Sequence, residues 1–491
     1  MRPTRKRIIV DGVDFGQLFR FPMILRAVTA SMQPPRLLVG VLLVLMLSIG
    51  GQAWDAITDA DIAPGSLAGA ASDQSGEMFV RQELRNAIRQ YVPESEWPAG
   101  PETGWPLNPG RWFDRIESGY GAQSARWAET LPEPELERRR EAYIDTMSRL
   151  RAFRPLGAYE ATCRYLSASF LRIVRGTLAL DATQAITGVR EIVILPVALL
   201  RHQTAFALIF GVYTLLLCSI FGGALCRMSA CQNAQQERLR VRDAFAYVKY
   251  CAGALITAPL LPLISIAVVS VAILVPGLLM TLPVLNVLGG VLYGFALILG
   301  FLLAFLLIGY AAGLPLLIPA VACENCSAGD AMQRAYAYVI QRPLHLACYL
   351  LMLLLGLVVG YAIVSFVATL ALNFTADLYG AFAGDESPMA VVGNVGALDL
   401  QRPELGAVHQ GWSDNTAVWF LRFWQGLVIV LVLAYIVAYL FASSTIMYLL
   451  IRRSCDGQDV DEIWQPGLTP GTLAPQATIP VRPEPAPDSE E

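Results

Sequence analysis

The sequence predicts an all-α fold: a polytopic transmembrane helical bundle of about six spans, with a parallel two-span repeat and a mostly helical extracytoplasmic domain. Three observations predict it. Of 491 residues, 55% are hydrophobic and only 15% charged, with mean hydropathy +0.50, whereas soluble domains carry about a quarter charged residues. Charge is missing from five long runs. Two internal stretches repeat each other at nearly constant spacing.

The runs place the spans. Leu37–Trp54 has 18 residues without Asp, Glu, Lys or Arg, His202–Cys226 has 25, Tyr250–Cys323 has 74, Pro343–Ala376 has 34 and Phe423–Ile451 has 29. A crossing needs about 20 apolar residues, so the 74-residue run holds two, broken at Val275–Pro283. The expected spans are 37–54, 202–226, 251–275, 284–313, 343–372 and 423–451. Gly51-Gln52-Ala53 resembles a signal-cleavage site, but 36 residues precede the apolar stretch, so span one reads as an uncleaved anchor.

The segments between spans differ in character. Residues 1–36 form a cytoplasmic N-terminal segment in which Phe21, Ile24, Leu25 and Val28 mark one helix face. Residues 55–201 are the largest extramembrane piece, with 20 acids, 17 arginines and no lysine. Glu77–Val92 and Pro134–Leu150 read as helices there. The tryptophan-bearing stretch between them reads as loop, and the apolar Ile192–Leu200 is too short to cross. Residues 373–418 are an outer loop, and the Pro-rich 454–491 reads as a disordered cytoplasmic tail.

Basic residues set the orientation. Arg2, Arg5, Lys6, Arg7, Arg20, Arg26 and Arg36 precede span one, and Arg227, Arg238, Arg240, Arg242 and Lys249 follow span two. Arg334 and Arg342 follow span four; Arg452 and Arg453 follow span six. The short outer loops hold almost none. This positive-inside pattern puts both termini in the cytoplasm of a multi-pass inner-membrane protein.

The repeat pairs Ala230-Cys-Gln-Asn233 with Ala322-Cys-Glu-Asn325, 92 residues apart. It also pairs "VRDAFAYVKY" (Val241–Tyr250) with "QRAYAYVIQR" (Gln333–Arg342), in which matching residues are 91 apart. Val241, Phe245 and Val248 form an apolar stripe in the first copy; Met332, Tyr336 and Val339 do so in the second. These predict interfacial helices over 227–250 and 322–342, with Arg240, Arg242, Lys249 and Arg334 turned to lipid phosphates. Gly290/Gly294, Gly309/Gly313 and Gly356/Gly360 are GxxxG pairs for helix packing.

Candidate chemistry is sparse. Cys323-Glu-Asn-Cys326 is the one CxxC, without a second pair, and its second cysteine is absent from the other copy. His202, His345 and His409 are scattered, and Arg422 reads as interfacial. Only Cys163 of nine cysteines falls outside, which excludes an outer disulfide. No nucleotide, metal or nucleophile motif occurs in a fitting context. We therefore expect no catalytic residue, metal or cofactor, and no nucleic-acid partner.

The stretches "GGALCRMSACQNAQQER" (Gly222–Arg238), "FRFPMILRAVTASMQPPRLLVG" (Phe19–Gly40) and "DAMQRAYAYVIQRPLHLACY" (Asp330–Tyr349) carry a resemblance. They resemble a set of uncharacterised bacterial multi-pass integral membrane proteins with a Gly-Gly-Ala-x-x-Arg-x-x-Ala span end and interfacial helices. The resemblance covers about 15–51 and 204–451 and implies topology, not mechanism.

The function expected is non-enzymatic: a scaffold or assembly subunit presenting an extracytoplasmic domain, with the bilayer and envelope proteins meeting 55–201 as partners. The alternative is a permease or lipid-translocating subunit served by a separate ATPase, which would line a polar cavity with Ser265, Ser270, Asn286 and Tyr310.

Overall fold

The computed structural model describes residues 21–58, 62, 74–97, 110–152, 156–381 and 412–465. After a 3-10 turn (Phe21–Leu25), the helices are α1 (Arg26–Ser31), α2 (Pro34–Ile57), α3 (Gln74–Tyr91), α4 (Gly110–Thr130), α5 (Glu133–Ala152), α6 (Ala158–Leu178) and α7 (Ala182–His202). Then come α8 (Thr204–Gln235), α9 (Val241–Leu279), α10 (Leu285–Glu324), α11 (Ala328–Gln341), α12 (Pro343–Gly380) and α13 (Trp412–Asp456). Among the described residues there is no strand beyond one isolated bridge, Ile62 with Leu156.

Among the described residues seven helices are long and apolar enough to cross a membrane: α2, α7, α8, α9, α10, α12 and α13. Six were expected, and α7 is the addition. The expectation stopped at Arg190 and Glu191, which interrupt the apolar run. In the fold Glu191 accepts from Ser169 Oγ at 2.8 Å and pairs with Arg172. An acid answered by the neighbouring helix no longer bars a helix from apolar surroundings. Helix α7 packs on α6, where Gly188 lies against Ser169 and Ile173.

The chain divides into two compact units. One comprises Gly222–Tyr349 with the ends of the chain, the other Ile24–Phe221 with Leu350–Leu440. In the second unit, glycines let long helices touch. A Cβ at Gly40 on α2 would lie 2.6 Å from the Ala434 carbonyl oxygen of α13, so the two backbones meet directly. On α12, Gly356 and Gly360 face the hydroxyls of Tyr439 and Tyr435. Tyr439 Oη then donates to the Leu353 carbonyl at 3.0 Å. Arg36, counted above as an inner-surface cation, is buried in this packing.

Helices α3–α5 form a small bundle with its own core. Leu84, Ile88, Tyr91, Trp112, Ile116, Tyr120, Tyr143, Met147 and Leu150 are buried together. Tyr120 and Tyr143 stack with centroids 3.7 Å apart. Gly119 admits the Tyr91 carbonyl where any Cβ would clash. The expected loop around the tryptophans is a helix from Gly110 onward, because Trp112, Ile116 and Tyr120 recur every four residues. The bundle is an insertion with close ends: Ile62 and Leu156 exchange backbone hydrogen bonds of 3.2 and 2.9 Å.

The first unit contains the repeated elbows. Residues Val241–Tyr250 open α9, and the helix departs from helical geometry at Cys251 (φ −107°, ψ 19°). The second elbow is α11, which ends at Arg342 (φ −135°, ψ 57°) before Pro343 starts α12. The two breaks are 342 − 251 = 91 residues apart, the offset of the sequence repeat. The Asn positions differ. Asn325 takes the left-handed conformation (φ 51°) that ends α10, a role asparagine accepts more readily than most residues. Asn233 stays within α8, bonded to the Ser229 carbonyl, and Gln236 makes the left-handed turn instead.

Candidate functional site

The ends of α8, α10 and α13 in the first unit enclose a buried polar knot. Each charge arrives through local structure. Arg227 follows Gly222-Gly223, where a Cβ at Gly223 would meet Leu255, so α8 packs closely there. Glu324 is the last residue of α10. Arg452 lies near the end of α13, behind the buried run Ala442–Ile451.

Glu324 is the hub. Its Oε1 accepts from the Tyr448 hydroxyl and from Arg452 Nη1 at 3.3 Å, and its Oε2 pairs with Arg334 of α11. Arg452 also donates to the carbonyls of Asp459, at 2.9 Å, and Glu462. Arg227 donates to the carbonyls of Ala322 at 3.1 Å and Trp464 at 2.8 Å, and its guanidinium sits 4.3 Å from the centre of the Tyr247 ring. Arg452 is 1% exposed and Arg227 6%. Such charges tolerate burial only because carboxylate, carbonyl and π partners replace water.

A strap closes the knot. After α13 the chain turns back, burying Val460 and Ile463. The Trp464 amide donates to the Cys323 carbonyl at 2.8 Å. The Trp464 ring lies 5.7 Å from Tyr247 and stacks on Tyr250 at 5.8 Å. The expected disorder of 454–491 therefore fails for its first part: 454–456 finish α13 and 457–465 are docked. Residues 466–491 lie outside the described residues. Tyr338 of α11 donates to Asp456. Burial, then Asp456, pushes the Tyr338 phenol up. Burial pulls the Arg334 guanidinium down, but Glu324, Tyr448 and Tyr338 together hold it above its ordinary value.

The expected site residues distribute unevenly. Arg240, Arg242 and Lys249 are exposed on the first elbow, while Val248 is buried and Val241 and Phe245 are half-buried. Arg334, expected to turn to lipid phosphates, pairs with Glu324, a charge-assisted contact with a fixed carboxylate. The stripe on α11 also turns inward. Tyr336 covers Gly309 and donates to the Leu306 carbonyl at 2.8 Å, and Ala335 lies over Gly313. Met332 and Val339 are half-buried. The Gly309/Gly313 pair thus seats α11, whereas Gly290 and Gly294 meet nothing within 4 Å.

The cysteine motif sits at the knot's edge. Cys323 is fully buried, and burial followed by Glu324 pushes the Cys326 thiol up to about 12. Among the described residues no three His, Cys, Asp or Glu converge as a metal site, and His409 lies outside them. Ser265 and Ser270 bond back to Leu261 and Ile266 of their own helix, at 3.0 and 2.8 Å, as hydroxyls in apolar helices do.

The residues that sequence reasoning missed are Arg227, Glu324, Tyr338, Tyr448, Arg452 and Trp464 as one assembly. A signal existed in the repeat: Glu324 stands opposite Gln232, and Arg334 opposite Asp243. The ion pair of Glu324 with Arg334 thus stands where the copies differ, while Tyr338 keeps its counterpart in Tyr247. Compared with protein-family models, curated proteins and solved structures, the chain matches none of them.

Proposed function

We propose that this chain is a non-enzymatic, multi-pass inner-membrane protein, a scaffold or assembly subunit that presents the α3–α5 bundle outside, with both termini cytoplasmic. The observation that supports it is that bundle: a self-contained aromatic core inserted between Ile62 and Leu156, whose pairing joins its ends. An insertion that closes on itself can be displayed without disturbing the helices that carry it. The polar knot fits the same reading. Glu324 and Arg452 bond each other and Arg452 and Arg227 bond backbone carbonyls, an arrangement that locks a strap in place.

The test is a paired purification from mild detergent. The full chain is compared with a chain in which residues 63–155 are replaced by a short flexible linker. Envelope proteins recovered with the full chain and lost with the shortened, still-folded chain support the scaffold. A co-purifying ATPase retained by both chains overturns it in favour of the permease.

A further inference from the structure

We propose that α6 and α7 form a hairpin immersed in the bilayer, with its two ends level with Asp55 and its tip, Leu178–Leu180, level with Arg36. The face of α7 carrying Ile186, Val193, Val197 and Leu200 then meets acyl chains. The Ser169–Glu191–Arg172 cluster becomes a polar site at mid-depth.

Contacts within the second unit serve as rulers. At the first level, Asp55 near the end of α2 caps α6: its two carboxylate oxygens accept from the Tyr159 and Glu160 amides, both at 2.9 Å. From there, α2 runs 15 residues back to Gly40, about 22 Å at 1.5 Å per residue. Gly40 touches Ala434, whose neighbour Tyr435 covers Gly360 of α12.

Helix α6 measures the same descent independently. From Tyr159 to Phe170 is 11 residues, about 17 Å, and the Phe170 ring lies 4.9 Å from Tyr361. Leu171, Ile173 and Val174 join Val358, Tyr361 and Val432 in one buried cluster. Two helices leaving Asp55 thus reach the same turn of α12, within one helical turn of each other. Helix α6 therefore runs antiparallel to α2 instead of projecting away from it. Eight more residues take α6 to Leu178, about 28 Å below Asp55, which matches the 19-residue distance from Asp55 to Arg36.

The return closes the loop. From Asp181, which caps α7 through the Thr183 and Gln184 amides, to Leu199 is 18 residues, about 27 Å. Leu199 packs in the cluster that holds Ala158, Trp54 and Phe206. Ile186, Val193, Val197 and Leu200 are between 47 and 67% exposed, an apolar face at the depth of α2 that only the exposed Arg190 interrupts. Acyl chains are the partner of that face because α2 itself, with 18 uncharged residues, lies at the same level.

The consequence for charge is specific. Glu191 lies ten residues from Asp181, about 15 Å from either end of the hairpin. An ionised carboxylate at mid-depth is expensive unless paired, and such residues mark functional sites in membranes. Here Ser169 and Arg172 answer it, and Gly188 lets the two helices close against Ser169 and Ile173. With α6 counted, the helices at membrane depth number eight instead of seven. An even number returns both ends of the chain to one side.

Side-specific labelling tests the hairpin in the full-length protein. Leu180→Cys at the 92% exposed tip, Val193→Cys on the apolar face and Ser118→Cys on α4 are each treated with a membrane-impermeant maleimide in sealed vesicles of either orientation. Modification is read peptide by peptide, so the native cysteines act as references. Leu180→Cys is expected to react from the face opposite to Ser118→Cys, and Val193→Cys from neither until detergent is added. Reaction of Leu180→Cys from the Ser118 face, or from neither face, overturns the proposal. So does reaction of Val193→Cys in intact vesicles.

Discussion

Glu324 Oε1 lies 3.3 Å from Arg452 Nη1, and Arg452 is 1% exposed to solvent. This one contact joins the end of α10 to the end of α13 and, through the other bonds of Arg452, to the strap. Removing the acid leaves two arginines facing each other without a counter-charge. Breaking a buried pair from one side costs about 3–5 kcal/mol. Glu324→Ala is expected to lower the unfolding temperature of the detergent-solubilised protein sharply. Glu324→Leu combined with Arg452→Met should recover part of that loss. Additive losses in the double variant would show that the pair is not coupled.

The strap predicts a local effect rather than a global one. Trp464→Ala removes the ring that stacks on Tyr250 and covers Tyr247 while leaving the helices intact. Trimming an aromatic anchor costs about 2 kcal/mol at a half-buried site. Proteolytic cleavage after Asp456 should quicken by about tenfold or more, with the unfolding temperature of the bundle little changed.

The glycines separate into tight and free positions. Gly40→Ala would drive a methyl group into the Ala434 backbone carbonyl, which cannot rotate away. Overpacking of that kind costs about 1–3 kcal/mol. Gly294→Ala meets open space and should leave stability within about 0.5 kcal/mol of the wild type. Thermal unfolding of the two variants side by side checks both signs.

Asp55 acts across 104 residues of sequence as the N-cap of α6. Losing such a cap costs about 1 kcal/mol. Asp55→Ala should therefore raise amide hydrogen exchange over Tyr159–Thr162 before it affects the rest of α6. Asp55→Asn, which keeps an acceptor, should raise it less.

Cys326 should be unreactive while the fold is intact. Its thiol is pushed up to about 12 by burial and by Glu324, so at pH 8 the thiolate is scarcer than in an ordinary cysteine by a factor on the order of a thousand. Alkylation should be slow at pH 8, rise as the pH climbs toward 12, and become rapid on unfolding. Fast modification of the folded protein at pH 8 would show that burial and Glu324 do not hold the Cys326 thiol up.

By itself the sequence determined where the chain enters helix and where it breaks. Pro34 and Pro343 start α2 and α12 after residues outside helical geometry, and the 91-residue offset reappears in the breaks at Cys251 and Arg342. These are local matters: a proline restricts its own turn, and a charge-free run of sufficient length needs no partner to be recognised. Tertiary structure decided what each charge faces. Arg227, Arg334 and Arg452 count equally in a tally of inner cations, yet each is turned to a carboxylate or carbonyl supplied by another helix. Likewise α6 carries Glu160, Arg164, Arg172 and Arg175, yet its other face packs against residues of α7, α12 and α13. Periodicity and charge report a residue's own preference for water. Whether a buried charge is affordable depends on its partners, and those are contributed by segments far away in sequence.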